Sequence, residues 1–298
     1  MSKIQDALRK LRSQGASPEN NDRSGAGLTR RRLPETVIPI ASKKKIDIEG
    51  ERFHVNQDQL IHRGLLAPLD QAIPVADEFR RVKRPLIDNF IKNLSGRDGN
   101  MNLIMVASPM PGAGKTFCSV NLAASISLER ELSVLLVDAD VAKPHISAAL
   151  GLQERPGLID ILEDDSISIE EVLIRSDLND IQILPAGRKH RQSTELLASD
   201  RMRSLMEELS NRYTDRLIVM DSPPLLVTSE AQAVARQAGQ IALVVESGKT
   251  TNQHIEDALE LLDREKAINL ILNKSLYTQG GGYYGGGYGN YGFNDEAD

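Results

Sequence analysis

The run Ala107-Ser-Pro-Met-Pro-Gly-Ala-Gly-Lys-Thr116 sets two glycines, a lysine and a hydroxyl in a loop suited to a triphosphate. Gly112 and Gly114 let the backbone curl until successive N–H groups face phosphate oxygens, and a helix opening there adds its positive dipole end. In such a loop Lys115 reaches the β- and γ-phosphates and the Thr116 hydroxyl ligates Mg²⁺, with Pro111, Gly112, Ala113, Gly114 and Phe117 completing the nucleotide contact. Two acidic motifs can serve the same chemistry. Asp138-Ala-Asp140 follows the apolar run Val134–Val137, and Asp221 follows Leu217–Met220. Carboxylates two residues apart can turn toward one cation, so Asp138, Asp140 and Asp221 join Thr116 as expected metal ligands, and Lys115, Asp138 and Asp140 as expected catalytic groups. Seen alone, Asp221 has helix capping as its lesser alternative; three strand-terminal motifs in this order argue against separate bland readings.

Five of the six tyrosines, Tyr277, Tyr283, Tyr284, Tyr288 and Tyr291, fall in a glycine-rich terminal segment, and the chain has no Trp. Such a segment cannot pack a core, so each phenol is presented to solvent, as a displayed substrate would be. Weak self-association through a Gly/Tyr tail is the plainer alternative.

These motifs need a scaffold that brings distant segments to one edge. From about Val75 onward, short β-rich apolar runs alternate with amphipathic stretches. The pattern predicts strands near 102–107, 133–138, 181–184, 216–221, 240–245 and 268–273, and helices at 115–130, 157–174, 193–212, 229–238 and 251–265. That alternation builds an α/β fold, a three-layer parallel sheet of the P-loop NTPase kind, whose ligands bind at the carboxyl edge. We expect three parts: a largely irregular basic extension over 1–75, a P-loop domain over 76–276, and a disordered tyrosine-rich tail over 277–298. Residues 1–45 carry eleven Lys or Arg against four Asp or Glu, on a chain whose net charge is −6. A basic leader of this kind suits an anionic membrane leaflet or an acidic partner, or simply solvation. Ile4, Ala7, Leu8 and Leu11 recur at helical spacing within it.

The apolar runs fall far short of the roughly 20 residues of a membrane span, the amino end lacks a secretory signal, and Cys118 is the single cysteine. A cytoplasmic protein is expected. The five histidines, His54, His62, His145, His190 and His254, lack ligand spacing, so no zinc site is expected.

Taken together, the P-loop, the apolar-Asp-x-Asp motif, the strand-terminal Asp221 and the terminal tyrosine cluster resemble the bacterial tyrosine kinases, and within them the stand-alone autokinases of exopolysaccharide loci. The resemblance covers about residues 76 to 292. It extends to Glu78, Arg81 and Arg84, spaced as Glu-x-x-Arg-x-x-Arg, a segment that joins subunits into a ring in that family; Pro85 would interrupt a long helix there. Two departures stand out. Pro109 occupies the place of the first loop glycine, and Ala142 with Lys143 replaces an arginine after the second acidic motif. The resemblance implies ATP and Mg²⁺ as cofactors, tyrosine phosphorylation between subunits, and regulation of exopolysaccharide synthesis or export. It also implies an inner-membrane polysaccharide chain-length (co-polymerase) protein as activator, holding the chain at the membrane periphery. No nucleic-acid partner is expected. Asn273 would contact adenine by analogy with related folds, or cap its strand. Asp138 is the expected base for the tyrosine proton. The competing class is a partitioning or positioning ATPase switch without tyrosine transfer; those carry a lysine five residues before the P-loop lysine, where this chain has Met110.

Overall fold

A computed structural model describes residues 52–93, 100–213 and 215–275. The amphipathic segment at 4–11 and all five tail tyrosines lie outside the described residues.

The described chain opens with α1 (Gln57–His62), whose first turn is capped by Asn56 accepting from the Gln59 N–H at 2.9 Å. Then comes α2 (Ala72–Asn93), followed by β1 (Leu103–Ala107), α3 (Lys115–Ser127) and β2 (Ser133–Asp138). Next are α4 (His145–Ala149), α5 (Leu158–Glu163), α6 (Ile169–Val172), β3 (Ile174–Arg175) and β4 (Gln182–Leu184). The chain continues through α7 (Ser193–Leu197), α8 (Asp200–Arg212), β5 (Arg216–Asp221), α9 (Ser229–Gln237), β6 (Gln240–Glu246), α10 (Asn252–Glu260) and β7 (Ala267–Asn273). One seven-stranded sheet results, ordered β3-β4-β2-β5-β1-β6-β7, parallel throughout except where β3 meets β4.

The central strands are apolar on both faces because both are covered, as a parallel sheet requires. Along β1 the side chains alternate between two cores: Leu103, Met105 and Ala107 face one that includes Met202 and Met206 of α8, while Ile104 and Val106 face one that includes Phe90 of α2 and Leu122 of α3. This is the three-layer arrangement expected from the sequence.

Three local expectations change. Pro85 does not interrupt its helix, which runs unbroken from Ala72 to Asn93. The lost hydrogen bond falls on the exposed face, where water can serve the freed carbonyl, while Phe79, Leu86, Ile87 and Phe90 bury the other face. The expected helix over 157–174 is two short helices followed by β3; Asp164 turns the chain by accepting from the Ser166 N–H at 2.8 Å. The expected helix over 193–212 divides at Ser199, whose hydroxyl accepts from the Met202 N–H and starts α8 afresh. Residues 52–66 also pack on the body: Phe53 bridges β3 beside Ser176, and Val55, Leu60 and Leu65 form a small cluster with Ala149.

Candidate nucleotide and phosphoryl-transfer site

Strand β1 delivers the loop 108–114 to the carboxyl edge of the sheet, and α3 begins at Lys115. Gly112 (φ +84°) and Gly114 (φ +92°) both take left-handed backbone that other residues resist. A Cβ on Gly114 would also lie 2.2 Å from the Asn273 amide nitrogen, so a side chain there would displace Asn273 from its place on the loop. Pro109 leaves this inner curve intact. The outer curve is tied down instead, with the Pro109 carbonyl accepting from Leu226 N–H at 3.1 Å and the Ser108 hydroxyl donating to the Met110 carbonyl at 2.6 Å.

Lys115 is buried, and burial lowers its ammonium pKa, opposed by the nearby charges of Asp221 and Asp140. Both carboxylates therefore lie near enough to Lys115 for their charge to act on it. Asp221 ends β5, Asp138 ends β2, and the two are register partners on adjacent strands. Burial pushes the Asp221 carboxyl up to about 6, opposed by hydrogen bonds from Thr116 and Ser119 and by the Lys115 charge. The Ser119 hydroxyl donates to Asp221 Oδ1 at 2.9 Å. Asp138 is pushed further, to about 8, first by burial and then by the like charge of Asp221. Its Oδ2 accepts from the Ser147 N–H at 2.8 Å and the Ser147 hydroxyl at 2.7 Å. Asp140 is raised by burial and opposed mainly by the Lys143 N–H, which donates to its Oδ1 at 3.1 Å.

Asp138 Oδ1 and Asp221 Oδ2 are buried with no hydrogen-bond partner among the described residues. The orphaned Asp221 Oδ2 suits a hard divalent cation, and the orphaned Asp138 Oδ1 on the neighbouring strand end can be satisfied by that cation or by a proton. No set of three or more His, Cys, Asp or Glu forms a metal cage among the described residues. Thr116 and the carboxylates at this edge are oxygen donors of the kind Mg²⁺ takes together with waters and phosphate oxygens.

The far end of the sheet grips the same loop. Asn273 at the end of β7 donates from Nδ2 to the Ala113 carbonyl at 2.8 Å, and Lys274 donates from Nζ to the Gly112 carbonyl at 2.6 Å. Lys274 also pairs with Glu246 at 3.2 Å. The residues immediately before the tail are thus fastened to the phosphate loop. Glu78, Arg81 and Arg84 lie elsewhere, exposed on α2, with Arg84 paired to Glu129 at 3.3 Å. Their helix meets the loop's helix directly, the Phe79 and Phe117 rings packing edge-on with centroids 6.0 Å apart.

Four contributors were absent from the sequence reading: Ser119, Ser147, Glu246 and Lys274. Ser119 stands one turn after Lys115 on the same helical face, a spacing that could have singled it out. Lys274 directly follows Asn273, already singled out; Ser147 and Glu246 reach the site from separate segments, so nothing local marks them.

A family model described as an AAA domain matches residues 101–277 of this chain. The chain belongs to that family. Within it, the likeness runs to bacterial tyrosine kinases. A putative tyrosine-protein kinase, EpsB, of Ralstonia solanacearum is 32% identical over 260 residues, covering 86% of this chain and 32% of that protein. The chain therefore spans about a third of the length of that relative. Tyrosine-protein kinase YwqD of Bacillus subtilis (strain 168) is 28% identical over 234 residues, covering 77% of this chain and 94% of that one. Among solved structures, the kinase domain of Escherichia coli tyrosine kinase ETK aligns with TM-score 0.53 at 26% identity, over 64% of this chain and 76% of that domain. The resemblance to bacterial tyrosine kinases, first read from the motifs, stands on these comparisons. Among the described residues no helix is long and apolar enough to cross a membrane.

Proposed function

We propose that this protein is an ATP-dependent tyrosine autokinase that phosphorylates its own C-terminal cluster, Tyr277, Tyr283, Tyr284, Tyr288 and Tyr291. The observation that carries this reading is the position of Asp138: a buried carboxyl raised to about 8, one strand from Asp221 and at the same edge as Lys115. Transfer to a phenol needs a carboxylate beside the transferring group to take its proton, and a pKa near the working pH suits that task.

In the proposed step the tyrosine oxygen bonds to the γ-phosphorus while the bond from that phosphorus to the bridging oxygen of ADP breaks. A phenol with pKa near 10 is almost wholly protonated at neutral pH, and Asp138 takes its proton as the new bond forms. Ser147 holds Asp138 Oδ2, so Oδ1 is the atom turned to this task. Lys115 and the N–H groups of the loop stabilise charge on the transferring group. Thr116, Asp221 and Asp140 would hold Mg²⁺, which when bound neutralises the β- and γ-phosphate oxygens. Asn273, its Nδ2 committed to the loop, offers Oδ1 to an adenine amine.

The acceptor tail comes from a neighbouring subunit, with Glu78, Arg81 and Arg84 at the contact between copies. Exposed Glu78 and Arg81 favour this use, since ion pairs gain more at an interface than at isolated sites. An inner-membrane polysaccharide chain-length protein activates the kinase, residues 1–75 provide specificity toward it, and the cycle of phosphorylation regulates exopolysaccharide synthesis or export. The test is replacement of all five tail tyrosines by Phe. Phosphate incorporation from γ-labelled ATP should vanish with nucleotide affinity intact; undiminished incorporation would refute the autokinase reading.

A further inference from the structure

Just after β4, the stretch Gly187-Arg-Lys-His-Arg-Gln192 carries three permanent cations and no acid, at the carboxyl edge one strand from Asp138. It is joined to the proposed base by two short bonds: the Ala186 N–H donates to the Ser147 hydroxyl at 3.0 Å, and that hydroxyl donates to Asp138 Oδ2 at 2.7 Å. The loop is held firmly at its root. Asp160 accepts from the Arg188 N–H at 3.0 Å and pairs with the Arg188 guanidinium at 3.3 Å, while His190 pairs with Glu163 at 3.3 Å. Lys189 and Arg191 are exposed, and neither pairs with any described residue. They are charges without an internal use.

The sequence holds a complement. The tail 276–298 contains three acids, Asp295, Glu296 and Asp298, and no Lys or Arg. These acids stand four, five and seven residues beyond Tyr291, while Arg188, Lys189 and Arg191 stand two, three and five beyond Ala186. With a tyrosine ring at Asp138, the loop lies one strand spacing away, about 4.8 Å, plus the few residues it extends. Four to seven residues of extended chain span about 13–23 Å. An acidic group that far past the acceptor can reach the cations, and Tyr291 is the tyrosine nearest the three acids.

We infer that Lys189 and Arg191, with Arg188, anchor the acidic end Asp295–Asp298 of the incoming tail of a neighbouring copy, and so select Tyr291 as the first tyrosine modified. This rests on the autokinase reading, and adds to it which tyrosine leads and what chooses it. The cations are positioning residues: they touch the tail rather than the reacting atoms.

Two measurements on the full-length protein test this, one independent of catalysis. Zero-length carboxyl-to-amine cross-linking of mixed ¹⁴N and ¹⁵N protein, read by mass spectrometry, should join Lys189 to Asp295, Glu296 or Asp298 in mixed-isotope pairs, and 0.5 M salt should suppress the product. Carboxylates of the tail cross-linked elsewhere, or to Lys189 within one copy alone, would overturn the assignment. In the second, time-resolved phosphosite mapping should show Tyr291 leading in the wild type. The Arg188→Glu/Lys189→Glu/Arg191→Glu protein should lose that lead, with the Tyr291 rate down about tenfold and nucleotide affinity unchanged. Adding Asp295→Lys/Glu296→Lys/Asp298→Lys should restore it. Tyrosines modified without preference in the wild type would sink the inference while leaving the kinase reading intact. A positive cross-link with no tyrosine ever labelled would sink the kinase reading while retaining the anchor.

Discussion

The phosphate loop and the basic loop after β4 occupy the same sheet edge and are built in opposite ways. Residues 108–115 present mainly backbone, with Lys115 buried and the Gly112 and Ala113 carbonyls held by Lys274 and Asn273. Arg188, Lys189 and Arg191 present exposed side chains, the last two unpaired within the described structure. The first arrangement suits a ligand whose geometry never varies; the second suits a peptide recognised by charge and distance. On the proposed reading, groups that do chemistry are fixed by burial, whereas groups that select a substrate are left in water, where their charge reaches outward.

That contrast can be broken most severely at Lys115. Lys115→Met should lower tail phosphorylation by at least about a thousandfold, since electrostatic stabilisation of the transferring group is the largest single contribution. Radiolabel incorporation measures it. Asp138→Asn should slow transfer by about 100- to 10,000-fold, the range of general-base catalysis, with ATP affinity measured by calorimetry little changed. Wild-type rates in that variant would remove Asp138 from the role of base. Lys274→Ala should have a milder effect, weakening nucleotide binding by about tenfold through a looser phosphate loop. An unaltered affinity would mean that the contact with Gly112 does nothing for the ligand.

The smallest expected effect is on stability. Asp138 has its pKa raised from 3.8 to about 8 by burial, so between those values the folded state binds the more protons. The nucleotide-free protein should thus lose stability as pH rises from about 4 to about 8, with a fall in Tm of about 5 °C or more. Asp138→Asn should flatten the slope, and saturating Mg²⁺ with a non-hydrolysable ATP analogue should flatten it in the wild type. A pH-independent Tm across that window would contradict the buried, repelled state of the pair.

Much of the catalytic edge was legible beforehand because its residues are terminal to apolar strands. Val134–Val137 and Leu217–Met220 announce β2 and β5, and Asp138 and Asp221 follow them directly. The supports were hidden for a physical reason: they act through space. Ser147 reaches Asp138 from the next helix, and Lys274 reaches Gly112 across 162 residues of sequence. Helix α2 was obscured differently. Pro85 carries a local penalty that the burial of Phe79, Leu86 and Phe90 outweighs, and no propensity rule contains that burial. The edge strand β3, two residues long and antiparallel, is too short for any periodicity to show.

The decisive measurement is the fate of the γ-phosphate. The purified full chain should be incubated with Mg²⁺ and ATP, alone and with the proposed membrane activator, and the products divided between free phosphate and phosphotyrosine by mass spectrometry. Phosphate on tail tyrosines, lost in Lys115→Met, is the predicted result. ATP consumed wholly to free phosphate, with Tyr277 to Tyr291 unmodified in both conditions, would contradict the account and make the edge a hydrolytic switch.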